Sequence, residues 1–298
     1  MTTKKVTRPT TEEPTVEVVT EDTTIAAEPA PLAIPEDDPY MDDSYSDLDA
    51  QYPRIQTLRG EGGQPPCWFI PMSQLDRAGW LDPNPQITTY HFAGGGTDDG
   101  LMLLQPRLLV AAKTTLLAFD RTASQTAQRM ILAGDYNYIP EEKKDDFGMV
   151  QFFRLYLLDE QNRPLAEMPF EFRAKGATRS TFANHWNQNC DEITRLHCRS
   201  LNKPFARRNA TYRSLCVFVP DLAKEKVETT KANVMAAKVV DHARATADDW
   251  VNYFLGRNEN ADWFTDVMAA EQPLISGLKS VQAPAELPAG KEMLALPG

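Results

Sequence analysis

Residues 149–175 read MVQFFRLYLLDEQNRPLAEMPFEFRAK: two apolar, aromatic-rich runs on either side of a polar hinge. Met149 to Leu158 and Leu165 to Ala174 have the composition of strands. Between them, Asp159-Glu-Gln-Asn-Arg-Pro164 collects turn formers, since Asp and Asn bond their own backbone and proline presets φ. The spacing predicts an antiparallel hairpin. In its return run, Phe170 and Phe172 share one face while Glu171, Arg173 and Lys175 share the other, because successive strand side chains point to opposite sides. The hairpin therefore has a core face and a basic face.

Upstream, Tyr52 to Leu58 forms a short extended segment and Cys67 to Ile70 an apolar strand. Ser73 is the expected N-cap of one or two helical turns holding Leu75 and Ala78, stopped at Gly79-Trp80. Ile87 to Phe92 is a strand, and Gly94-Gly95-Gly96 with Asp98, Asp99 and Gly100 a loop. Leu101 to Ala118 has the apolar density of two buried strands, broken at Pro106 and around Lys113 to Thr115. Downstream, Phe182, Trp186, Ile193 and Leu196 fall near one stripe, so Ser180 to Cys198 reads as an amphipathic helix. Tyr212 to Val219 returns to strand, closed by Pro220, and Val234 to Val240 is another strand. Thr246 followed by Asp249 signals a cap, and with it a helix from about Ala247 to Leu255. Strands adjacent in sequence outnumber two or three helices. The expected fold is mostly β (α+β), an antiparallel sheet or partly closed OB-like barrel with disordered termini.

The chain divides by composition. Residues 1–50, rich in Thr, Glu, Asp and Pro, cannot bury enough apolar surface to offset their ordering entropy and read as a disordered acidic arm. Residues 51–256 form the globular β-rich domain, 257–271 a C-terminal helix or extension, and 272–298 a proline-punctuated disordered tail. The formal charge of −11 belongs almost wholly to the arm, whose three basic and thirteen acidic residues leave the remainder at −1. A near-neutral body can carry a local basic groove, and an acidic segment beside it can mask that groove or recruit protein partners. Cys67, Cys190, Cys198 and Cys216 form no Cys-x-x-Cys pair or disulfide framework, and no signal peptide opens the sequence, so a reducing, cytoplasmic setting is expected. The longest apolar runs are too short to span a bilayer.

The basic groove is sought between Arg163 and Arg213, where ten basic and four acidic residues are interleaved with aromatics. Single-strand binders need cations for phosphates and ring faces for bases. The candidate nucleic-acid-binding residues are Arg173, Lys175, Arg179, Trp186, Phe205, Arg207, Arg208 and Tyr212. Phe205, flanked by Pro204 and Arg207-Arg208 in a loop, is the best placed to stack. An ordinary solvated basic face over a core is the plain alternative.

Other chemistry finds less footing. His185, Cys190, His197 and Cys198 are zinc-ligand types, but on one helix their spacings do not converge, so no metal and no cofactor is expected. Asp159 with Glu171 and Arg173 sketches a metal-dependent nuclease, although a turn Asp needs no further reason. The triple glycine lacks the endings of a phosphate-binding loop, and no hydrolase or metalloprotease motif is present.

Several phrases carry a resemblance: Pro53-Arg-Ile-Gln-Thr-Leu-Arg-Gly60, Cys67-Trp-Phe-Ile70, Gln74-Leu-Asp-Arg-Ala-Gly-Trp80, and Ala174-Lys-Gly-Ala177 followed by Phe182. Over roughly residues 52 to 256 the chain resembles an uncharacterised family found in cyanobacteria and their mobile elements, which supplies no catalytic residue to carry over. A strand ending in Lys-Gly before a Phe-bearing helix is also similar in layout to phage and plasmid single-stranded-DNA-binding proteins. The expectation is a non-enzymatic single-stranded nucleic-acid-binding protein. The alternatives are a protein-interaction or assembly component of a phage or mobile element, and a metal-dependent nuclease.

Overall fold

The computed structural model describes residues 52–92, 94–228, 233–257 and 263–264. The expected arm over 1–50 and tail over 272–298 lie outside the described residues, and of the expected extension only Arg257, Trp263 and Phe264 fall within them.

The hairpin organises the fold. β8 (Phe147–Leu158) and β9 (Phe170–Lys175) pair antiparallel, with Val150 opposite Lys175 and Leu155 opposite Phe170. Phe170, Phe172 and Ala174 are buried, whereas Glu171 and Arg173 are half-buried and Lys175 is exposed. The return strand starts at Phe170 rather than Leu165, since Pro164 and Pro169 cannot donate to a ladder. Leu165 still donates its N–H to the Leu157 carbonyl at 2.9 Å, so the chain doubles back along β8 before the ladder begins.

β8 is long enough to carry two partners on one edge. β5 (Arg107–Lys113) pairs near its C-terminal end and β6 (Leu117–Asp120) near its N-terminal end. The break read at Lys113 to Thr115 is the corner between them. Thr114 fills it, donating its N–H to the Phe152 carbonyl at 3.0 Å and accepting the Phe152 N–H on its hydroxyl at 3.1 Å. β7 (Ile131–Asp135) lies beside β6, and the two-residue β10 (Val217–Phe218) beside β5. Beyond β9 come β1 (Arg54–Leu58), β2 (Cys67–Pro71), β4 (Thr97–Leu103) and β3 (Ile87–His91) in that spatial order. Every neighbouring pair is antiparallel except β1 and β9. The resulting ten-stranded sheet curls into a half-barrel, the mostly β architecture expected from the sequence.

α3 (Gly176–Ser200) leaves β9 through Gly176 and buries Phe182, Trp186, Cys190 and Ile193 in the main core. Phe182 is its centre, with ring centroids 4.8 Å from Phe153, 5.2 Å from Phe172 and 5.4 Å from Phe218. Each such buried ring contributes about 1.5–3 kcal/mol. A separate hairpin of β11 (Pro220–Glu228) and β12 (Asn233–His242) packs on α3. Thr178 donates its hydroxyl to the Ala237 carbonyl at 2.6 Å, and the Val239 N–H donates to the Thr181 hydroxyl at 3.1 Å.

Several local expectations are corrected. α1 (Met72–Ala78) starts directly after Pro71, placing Ser73 inside the helix, and Gly79 closes it in the left-handed region at φ 63°. The loop at Gly94 ends at Gly96, because Asp98, Asp99 and Gly100 already pair within β4. Tyr212 to Val219 is not one strand: the Asn209 side chain accepts the Tyr212 N–H at 2.9 Å and caps α4 (Ala210–Ser214). Pro220 opens β11 rather than closing a strand. Asp249 accepts from the Thr246 N–H and hydroxyl as the capping signal implied, yet only 3-10 turns follow, over Trp250–Tyr253 and Leu255–Arg257. No helix among the described residues is long and apolar enough to cross a membrane.

Candidate nucleic-acid interface

At 1.5 Å per residue, the 25-residue α3 is about 37 Å long. That length splits the expected basic face in two. At the N-terminal end, Arg173 and Lys175 line a cleft of about 490 Å³ with Arg54, Gln74 and Glu171. Arg173 is paired with Glu171 and its guanidinium lies over the Phe152 ring at 5.4 Å. The Lys175 ammonium sits 5.2 Å from the Phe119 ring centroid, and burial, then Arg173, hold it below its ordinary pKa. Arg179 is half-buried in the first turn of α3.

The second group lies past the other end. The chain from 203 to 209 has no regular structure and presents Phe205, 46% exposed, with the Arg195 guanidinium 5.3 Å from its ring. Arg199, Lys203 and Arg207 are exposed around it and form no ion pair among the described residues. Arg208 is half-buried instead, donating to Cys198 Sγ at 3.6 Å and lying over the Tyr212 ring at 5.5 Å.

Of the two remaining candidates, Trp186 is buried in the core and Tyr212 is half-buried against it. Trp186 is buried in the main core, with the Lys113 ammonium 4.6 Å and the Arg213 guanidinium 5.3 Å from its ring, so no open face remains for a base. Tyr212 packs on Phe254 at 4.6 Å and stacks on His197, whose Nδ1 is 2.9 Å from the phenol oxygen. Burial, above all, pushes its phenol pKa up. The sketched nuclease site does not assemble: Asp159 Oδ1 accepts the N–H groups of Gln161 and Arg163 at 2.8 Å each, while Glu171 lies opposite Arg154, roughly 16 Å along β8 at strand rise.

Over residues 49–286 the sequence matches the family described as "Domain of unknown function (DUF5895)". The chain belongs to this family. A relative, the uncharacterized protein 254L of Invertebrate iridescent virus 6, is 24% identical over 166 residues, 54% of this chain and 49% of the viral protein, so the chain spans about half the length of that relative. No solved structure matches.

Four cations of the basic groups in this DUF5895 domain, Arg54, Arg195, Arg199 and Lys203, are not among the candidates named from the sequence. Arg195 precedes Arg199 by four helical positions, a spacing that places both on one face and could have been read. Arg54 joins the cleft only because β1 runs parallel to β9, with Arg54 opposite Glu171, and no local signal announces that pairing.

Proposed function

We propose that this DUF5895 chain is a non-enzymatic, cytoplasmic single-stranded nucleic-acid-binding protein of phage, plasmid or other mobile-element origin, using the loop after α3 as its principal contact. The observation that carries the reading is Phe205, an exposed ring among Arg195, Arg199, Lys203 and Arg207, four cations with no carboxylate partner among the described residues. Phosphates draw such cations, and a base stacked on an exposed ring adds about 1–3 kcal/mol. The cleft of Arg173 and Lys175 offers a second contact. The likeness in layout to phage and plasmid single-strand binders points the same way, and four unpaired, buried cysteines fit a reducing compartment.

The test is fluorescence anisotropy of a labelled single-stranded oligonucleotide titrated with full-length protein at two salt concentrations. Saturable binding that weakens steeply with salt, and favours single strand over duplex, upholds the proposal. Absence of binding in both buffers, with the arm present or removed, transfers it to the second reading. That reading, a protein-interaction or assembly role, draws on Val234, Met235 and Val240 of β12, apolar side chains left exposed on the hairpin. Light scattering that gives a defined oligomer without nucleic acid supports it.

A further inference from the structure

We propose that His185, Asp241 and His242 form a binding site for a divalent transition-metal ion of the zinc class. His185 lies on α3 and the other two close β12, so the site joins the separate hairpin to the helix. His185 Nδ1 and His242 Nδ1 face one another at 3.2 Å, and a carboxylate oxygen of Asp241 lies within 4.8 Å of both. Zinc binds imidazole nitrogen at about 2.0–2.1 Å, and two ligands at a tetrahedral angle are then about 3.3–3.4 Å apart. The two nitrogens, at 3.2 Å, stand about 0.1–0.2 Å short of that separation. Asp241 offers a carboxylate oxygen as the third ligand from an exposed side chain whose Oδ1 also accepts the His242 N–H at 2.9 Å. Three protein ligands leave the fourth position to water, as in zinc sites that remain open.

The surroundings have the form of a second shell. His242, whose side chain is fully buried, turns Nε2 toward Glu192 Oε2 at 3.3 Å. The Glu192 carboxylate accepts a hydrogen bond from Nε2–H, which keeps the proton on Nε2 and leaves the Nδ1 lone pair directed at His185, the carboxylate–histidine arrangement that orients metal ligands. Arg244 bridges Glu192 Oε1 at 3.0 Å and Asp241 Oδ1 at 3.2 Å. The carboxylates of Asp241 and Glu192 and the single guanidinium of Arg244 place a net negative charge beside the imidazoles for an incoming dication. Without a metal, the same separation requires one imidazole N–H to point at the other ring, so the two states are distinguishable.

The experiment uses chelator-stripped full-length protein and two probes, zinc followed by calorimetry and cobalt(II) followed by visible absorption. The expected result is one equivalent of either ion, cobalt bands without the intense near-ultraviolet thiolate transition that cysteine ligation would give, and a raised melting temperature with zinc. His185→Ala should abolish binding. His242 is buried and its replacement can unfold the hairpin, so Asp241→Asn and Glu192→Gln serve as second variants. Each should weaken affinity, Glu192→Gln by about 10–100-fold, with the circular dichroism spectrum unchanged. No uptake of either ion by the folded protein, uptake unchanged by His185→Ala, or a thiolate transition would overturn the proposal.

Discussion

A single ring decides how the interface is tested. Phe205 is 46% exposed with the Arg195 guanidinium over its ring, so Phe205→Ala should leave the fold intact while weakening single-strand binding by about 1–3 kcal/mol, read by anisotropy with circular dichroism as control. Arg207→Ala should flatten the salt dependence by about one unit of slope per lost phosphate contact, whereas Arg208→Ala should also lower stability, since Arg208 packs on Cys198 and Tyr212. His197 carries the pH dependence of this end. Burial first, then Arg257 and Arg208, depress its pKa below the ordinary 6.5. A neutral histidine stabilises the folded state, so its contribution is complete above about pH 6.5 and is lost as pH falls through the depressed value. Urea midpoints should rise between pH 5 and 7, and His197→Gln should remove part of that rise. Side-chain alternation in β9 was legible because a strand's period of two admits one inward set. Trp186 and Tyr212 were not, because a helical stripe or a β-prone segment reveals hydrophobicity without revealing what covers the ring.

At the scale of elements, the junction between β9 and α3 is the sharpest device. Gly176 turns the chain at φ 50° with open space where a side chain would sit, so Gly176→Ala meets backbone strain alone and should cost about 1 kcal/mol in chemical denaturation. Gly79→Ala should cost more, since its φ is also positive and a Cβ would stand 2.7 Å from the Glu167 carboxylate. Equal losses at the two sites would mean that the Glu167 side chain moves aside freely. β8 and α3 were readable because a long apolar run in the one and a sustained helical stripe in the other dominate their own local preferences. β11 was not, because Pro220-Asp-Leu-Ala-Lys-Glu-Lys-Val-Glu228 alternates charge with small apolar residues and takes its strand form from pairing with β12. The His185 and His242 pair stayed hidden for the same reason: 57 residues separate them, and only that hairpin's docking brings them together.

For the molecule as a whole, charge and connectivity matter most. The acidic residues at 1–48 precede the segment shared with the family, and residues 1–50 hold nearly all of the chain's net charge. Deleting residues 1–50 should tighten oligonucleotide binding at low salt, with the gain vanishing as ionic strength rises and screening shortens the reach of charge. An unchanged affinity at low salt would show that the arm does not compete. Strand order across the whole sheet was beyond sequence reading, since β1 pairs with β2 and with β9, and nothing in Arg54–Leu58 encodes a partner so distant. Among the described strands, β1 links the β2–β4–β3 half of the sheet to the β8–β9 half. It also fixes a timetable. Ile55 pairs with Phe172, so during translation at roughly 5–20 residues per second the first strand waits about 6–23 s for its second neighbour to be made. For that interval the nascent chain presents a β-edge whose partner β9 has not yet been made, and the ribosome's pace sets how long it stays open to another chain.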